Sequence, residues 1–210
     1  MSTLIEEGAV VLFQGDSITD AGRIREDATH LGAGYAMMAA AWFCATYPER
    51  EVQFINRGIG GNRAKDLRAR WQQDCLALRP TWVSIMVGIN DTWRRYDSGD
   101  TMPVQEYEAA YRSILEQTQA QLGARLIMME PFVLPVSEDR SDWREDLDPK
   151  IDVVRRLARE FKAILVPLDG LFAQAAARRD PAFWAIDGVH PSTPGHALIA
   201  QAWLRATRSI

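Results

Sequence analysis

Five apolar runs of strand length, separated by longer stretches with helical spacing, limit what this chain can become. The runs cover residues 9–14, 52–56, 82–87, 125–130 and 163–168. Val83-Ser84-Ile85-Met86-Val87 is almost unbroken, the pattern of a strand covered on both faces, as in a parallel sheet. Helical spacing is expected over 34–47, 64–78, 104–122, 149–162, 170–179 and 194–207, with Pro194 in the first turn of the last helix and Thr193 as its cap. Such alternation implies a three-layer α/β/α sandwich with right-handed crossovers. The expected sheet is five-stranded and parallel, in the flavodoxin-like order 2-1-3-4-5. Residues 1–210 read as one domain. The polar stretch 135–148 reads as a long surface loop at the rim of the site.

In that order the first and third strands are neighbours, and ligands bind at their carboxyl ends. Gly15-Asp16-Ser17-Ile18 follows the first strand and Gly88-Ile89-Asn90-Asp91 the third, so Ser17 and Asn90 are expected to meet. A strand fixes the position of a serine at its exit, and the following loop exposes the hydroxyl. Far along the chain lies Asp187-Gly188-Val189-His190-Pro191. Nucleophile, orienting acid and base are thus present in the order Ser17, Asp187, His190. Closing the contact between Asp187 and His190 within one loop costs little entropy. Ester hydrolysis also needs donors for the developing oxyanion. Asn90 offers a side-chain amide, Ser17 its own backbone amide, and the glycines of Asn56-Arg57-Gly58-Ile59-Gly60-Gly61-Asn62 let the backbone present further amides.

The formal net charge of −4 and the absence of a basic stripe give no reason to expect nucleic-acid binding. No apolar stretch approaches the ~20 residues of a membrane span. Glu6 and Glu7 stand where a signal peptide carries positive charge. A cytoplasmic protein without membrane partners is expected, and the sequence leaves a homo-oligomer open. Cys44 and Cys75 read as small buried hydrophobes. The three histidines lack an accompanying ligand cluster, so no metal is expected. The third glycine of a dinucleotide fingerprint would fall on Arg63, and no phosphate-cradling Gly-Lys-Ser/Thr run occurs. No cofactor is expected.

Four segments together resemble the SGNH (GDSL) hydrolase superfamily. Gly15-Asp16-Ser17-Ile18 matches its first block, with isoleucine in place of leucine; Gly61 matches the second-block glycine. Gly88-Ile89-Asn90-Asp91 matches the third block and Asp187-Gly188-Val189-His190 the fifth. The resemblance implies Ser17, Gly61, Asn90 and His190 as signature residues, with Asp187 the acid of the triad and Ser17, Gly61 and Asn90 the oxyanion hole. Arg70-Trp71-Gln72-Gln73-Asp74, Trp82 through Asp91, and Trp93-Arg94-Arg95-Tyr96-Asp97 further resemble the intracellular bacterial acetylxylan-esterase branch. That likeness implies a small acetylated sugar as substrate.

Other readings compete. Asp16 and Asp20 suit turn capping better than catalysis, Asp91 suits ordering of its loop, and His30 reads as a loop residue. Of seven tryptophans, Trp42, Trp71 and Trp203 fit core or interface positions. Trp93 and Trp184 flank the expected site loops and suit either a sugar-stacking wall or core packing. Arg57, Arg63, Arg94 and Arg95 suit sugar hydroxyls or pairing with acids. Arg57, Trp93 and Trp184 are carried forward as candidate substrate contacts. The rivals to a sugar deacetylase are a short-chain lysophospholipid esterase or thioesterase, and a noncatalytic carbohydrate-binding or assembly subunit on the same fold.

Overall fold

A computed structural model describes residues 3–210. The five strands are β1 (Val10–Gly15), β2 (Gln53–Asn56), β3 (Trp82–Met86), β4 (Arg125–Met129) and β5 (Ile164–Val166). They pair in parallel in the order β2-β1-β3-β4-β5, the expected topology. In register, Gly15 faces Met86, so the chain leaves β1 and β3 side by side at the carboxyl edge.

The helices are α1 (Ser17–Asp20), α2 (Tyr35–Thr46), α3 (Ala64–Asp74), α4 (Ile89–Asp97), α5 (Val104–Leu122), α6 (Glu138–Asp142), α7 (Arg144–Glu160), α8 (Leu168–Ala176), α9 (Pro181–Trp184) and α10 (Thr193–Ala206). The period-2 alternation of the strands divides their side chains between two cores. Val11, Phe13, Trp82, Ile127 and Met129 pack towards α2, α8 and α10. Leu12, Val83, Ile85, Leu126 and Met128 pack towards α3, α5 and α7. Buried indoles satisfy their N–H groups: Trp71 donates to Thr118 at 3.0 Å and Trp203 to Ser84 at 3.2 Å.

Four expectations are corrected. The stretch read as a loop over 135–148 contains α6 and the first residues of α7, and Pro149 lies inside α7 rather than at its start. Burial of Trp143 and Leu147, together with an ion pair from the buried Lys150 to Asp146, carries the helix through the proline. Ile89, Asn90 and Asp91, read as part of a loop after the third strand, form the first turn of α4. Ser192, not Thr193, caps α10, accepting the Gly195 amide at 3.3 Å. Cys75 is buried as expected, but Cys44 is exposed on α2. Among the described residues, no helix is long and apolar enough to cross a membrane.

Candidate active site

Ser17 opens α1 directly beyond β1. Asp16 caps that helix through Oδ1, which accepts the Ile18 amide at 3.0 Å. The Ser17 amide sits at the first helical position, where the backbone N–H has no partner within the helix. Ser17 Oγ lies 3.0 Å from His190 Nε2, and His190 Nδ1 lies 2.7 Å from Asp187 Oδ2. The other oxygen of Asp187 accepts the amides of Val189 at 3.0 Å and His190 at 2.7 Å. One carboxylate thereby orients the imidazole and shapes its own loop. Burial pushes the Asp187 carboxyl up, but the imidazole and the two amides outweigh it and hold the group below its ordinary value. It is therefore an anion facing Nδ1, which fixes the ring with its proton on that nitrogen and leaves Nε2 free to accept from Ser17.

The loop after β2 reaches the serine from the other side. A Cβ added to Gly60 would sit 3.8 Å from the Ser17 Cβ. Gly61 has φ +79°, a left-handed conformation suited to glycine. Asn90, buried in the first turn of α4, donates from Nδ2 to the Asn62 carbonyl at 3.2 Å and is thereby tied to the Gly60-Gly61 loop. Asp91 is fully buried and accepts the Ala64 amide on both oxygens at 3.2 Å, joining α4 to the start of α3. Its role is the ordering one expected, and burial pushes its carboxyl up to about 7. Asp16 is likewise pushed up to about 7 by burial, against the opposing effects of the Ile18 amide and His190.

Of the candidate substrate contacts, Trp93 is half-buried with its ring 5.7 Å from the imidazole of His190. Trp184 is engaged elsewhere. Its indole donates to the Ala175 carbonyl at 3.1 Å and its ring packs edge-on against Phe183, which is the core-packing alternative. Arg57 is half-buried on the β2 loop and donates to the Asn56 carbonyl at 3.2 Å. Arg63, Arg94 and Arg95 pair with Asp100, Asp97 and Glu145, so acids rather than open space claim them. His30 accepts the Ile24 and Gly32 amides, as a loop residue would. Among the described residues, no group of three or more histidine, cysteine or acidic side chains is placed to hold a metal ion. Trp143 and Arg140 also border the site. Both lie in the segment whose polar composition read as surface loop, and only the two aromatic residues Trp93 and Tyr96 of the facing helix hinted at a partner.

The geometry is that of a nucleophile, a base and an acid at the carboxyl edge of a parallel sheet. The model of the GDSL-like lipase/acylhydrolase family matches residues 13–198, from β1 into α10. The chain belongs to that family. It is a carboxylic ester hydrolase on an SGNH-type α/β fold. An acetylxylan esterase of Geobacillus stearothermophilus is 39% identical over 209 residues, covering 96% of this chain and 94% of that protein. The crystal structure of that organism's esterase Axe2 superimposes with a TM-score of 0.90 at 38% identity, covering 97% and 95% of the two chains. Structures of catalytic mutants of Axe2 carry alanine in place of a serine and of an aspartate, in keeping with a serine nucleophile in this group. LAE5, an α/β hydrolase from the metagenome of Lake Arreo, gives a TM-score of 0.91 at 33% identity over 99% of each chain.

Proposed function

We propose that this hydrolase removes O-acetyl groups from carbohydrates, with acetylated xylo-oligosaccharides as the substrate class. The observation that carries the reading is the continuous chain from Ser17 Oγ through His190 to Asp187, at 3.0 and 2.7 Å, made by loops 173 residues apart. Ser17 Oγ attacks the acetyl carbonyl while His190 Nε2 takes its proton. The tetrahedral oxyanion is held by the amides of Ser17 and Gly61 and by the side chain of Asn90. The C–O bond to the sugar breaks, and His190 returns the proton to the departing sugar oxygen. Water then attacks the acetyl-enzyme as His190 takes its proton, releasing acetate and restoring Ser17. Asp187 stays ionised throughout and stabilises the imidazolium. The acetylated-sugar substrate is supported by the likeness to an acetylxylan esterase across nearly the whole chain and by Trp93, whose ring borders His190 and offers a stacking face for a pyranose.

A second reading has one observation in its favour. The chain is 27% identical over 177 residues to the thioesterase 1/protease 1/lysophospholipase L1 of Escherichia coli K12, covering 83% of this chain and 77% of that protein. An acyl-series experiment separates the two. Each CH₂ that finds an apolar groove contributes ~0.8 kcal/mol, so an enzyme with an acyl channel improves steeply with chain length. The expected result is a kcat/KM that peaks at acetyl, falls towards C8, and is higher for acetylated xylo-oligosaccharides than for simple acetyl esters. A series rising from C2 to C8 moves the protein to the second reading. In parallel, Ser17→Ala is expected to abolish turnover, a loss on the order of 10⁶ in kcat in one well-studied protease. Retention of a tenth of the activity in clean protein overturns the mechanism.

A further inference from the structure

The triad acid and base sit on a short loop whose Gly188 and Val189 are buried while His190 is exposed, and an imidazole at such an exposed end needs support from neighbouring segments to hold to a fraction of an ångström. The ends of this one are closed by an isolated antiparallel bridge between Ala185 and Pro191. Its middle is held by two contacts from the segment after β4. The Leu134 amide donates to the Gly188 carbonyl at 2.8 Å, and Arg140 Nε donates to the Asp187 carbonyl at 2.9 Å. Gly188 has φ +82°, and a Cβ there would lie 2.6 Å from the Leu134 carbonyl and 3.4 Å from Arg140 Cγ, so the two segments pack at contact distance.

Arg140 does more than donate one hydrogen bond. Its guanidinium carbon lies 4.0 Å from the centroid of the buried Trp143 ring and 5.1 Å from that of Trp93. The Trp93 ring in turn sits 5.7 Å from His190. One planar cation therefore touches the main chain of the triad acid and the ring that flanks the triad base. Beside this contact lies a cavity of about 320 Å³ lined in part by Leu134, Arg140, Arg144 and Ala173.

We infer that Arg140 is a positioning residue of the esterase, clamping the Asp187–His190 loop and Trp93 in the geometry that keeps His190 within reach of Ser17. The inference rests on the triad reading above. Lysine is a poor substitute, because an ammonium lacks both the planar stacking face and the fixed Nε donor. A misplacement of about 1 Å remote from the chemistry can cost ~10² in rate. Arg140→Lys and Arg140→Ala are expected to lower kcat for p-nitrophenyl acetate by about 10- to 100-fold. KM should stay within about twofold, since uniform binding is untouched.

A structural role alone would not move the proton signature of the triad. In the wild-type enzyme, the His190 Nδ1 proton bonded to Asp187 is expected as a resolved low-field NMR resonance. In both variants it should broaden or vanish while the melting temperature holds. Three results overturn the inference. These are an unchanged kcat in a folded Arg140 variant, a loss that tracks unfolding with the resonance intact, or a fall confined to KM. Should Arg140→Ala fail to fold, Arg140→Lys, which keeps the aliphatic stem, decides the matter. Ser17→Ala, run alongside, distinguishes the two levels: activity surviving there overturns the triad reading itself. A dead Ser17→Ala beside a fully active Arg140→Lys overturns the clamp alone.

Discussion

Asp16 and Asp187 are both carboxyls beside the catalytic serine and histidine, and their surroundings shift them in opposite directions. Asp187 is half-exposed and accepts from the imidazole and two amides, which outweigh its burial and keep it ionised. Asp16 is buried, one of its oxygens is without a hydrogen-bond partner, and burial lifts it to about 7. The protonated form that burial favours for Asp16 is close to an asparagine in shape and charge. Asp16→Asn should therefore keep the cap on the Ile18 amide and cost little. Asp187→Asn removes the anion that selects the imidazole tautomer, a change worth ~10⁴ in kcat in the best-known protease case. Measured kcat values are expected to rank wild type and Asp16→Asn well above Asp187→Asn. The reverse order moves the role of triad acid to Asp16.

His196 joins two elements behind the site. From the first turn of α10, its Nδ1 accepts the Tyr35 amide at the start of α2 at 3.2 Å. Burial, helped by nearby His190, lowers its pKa from 6.5 to about 4. Between those values the unfolded chain binds a proton that the folded chain refuses, so stability from this group is complete above about 6.5 and lost as pH falls towards 4. The melting-temperature advantage of the wild type over His196→Gln should accordingly shrink between pH 7 and pH 4, whereas a constant gap means the histidine does not titrate there. This helix junction was not legible in the sequence, although the strands were. Strands covered on both faces are apolar whichever way they pack, so Val83–Val87 announced itself. The α6–α7 segment failed because Pro149 reads as a helix start, and only the tertiary burial of Trp143 and Leu147 shows otherwise. Ser17 was legible because a reactive residue type stood at a strand exit, and Asp187 and His190 because an acid and an imidazole stood three residues apart in one loop. Trp93 and Trp184 could not be told apart, since both flank site loops in sequence and their ring directions are set by Trp143 in one case and by the Ala175 carbonyl in the other.

At the scale of the whole molecule, the sheet is a wall shared by two cores. Trp71 lies in the core under α3 and α5, and Trp203 in the core under α2 and α10. The same strands feed both: Leu12 and Val11 are successive residues pointing to opposite sides. Neither layer can detach without stripping one face of every strand it covers, at ~1.5–3 kcal/mol for each large apolar side chain re-exposed. The segments bearing Ser17, Gly61 and Asn90 leave the ends of these strands, and the loop bearing His190 joins α9 to α10, so the site gains its geometry from both sides: Gly61 leads into α3, Asn90 lies in α4, and His190 opens onto α10. Residues 1–210 are therefore expected to unfold as one cooperative unit. Trp71→Phe leaves fluorescence from tryptophans in or against the α2/α10 core and from the exposed Trp42, so its signal reports that side and the difference from wild type reports Trp71 in the other core. In guanidinium, wild type and Trp71→Phe should give the same midpoint by fluorescence, by far-UV circular dichroism and by residual esterase activity. If activity and the fluorescence of Trp71→Phe are lost before the difference signal of Trp71, the α2/α10 layer is a separate unit and the single-domain reading fails.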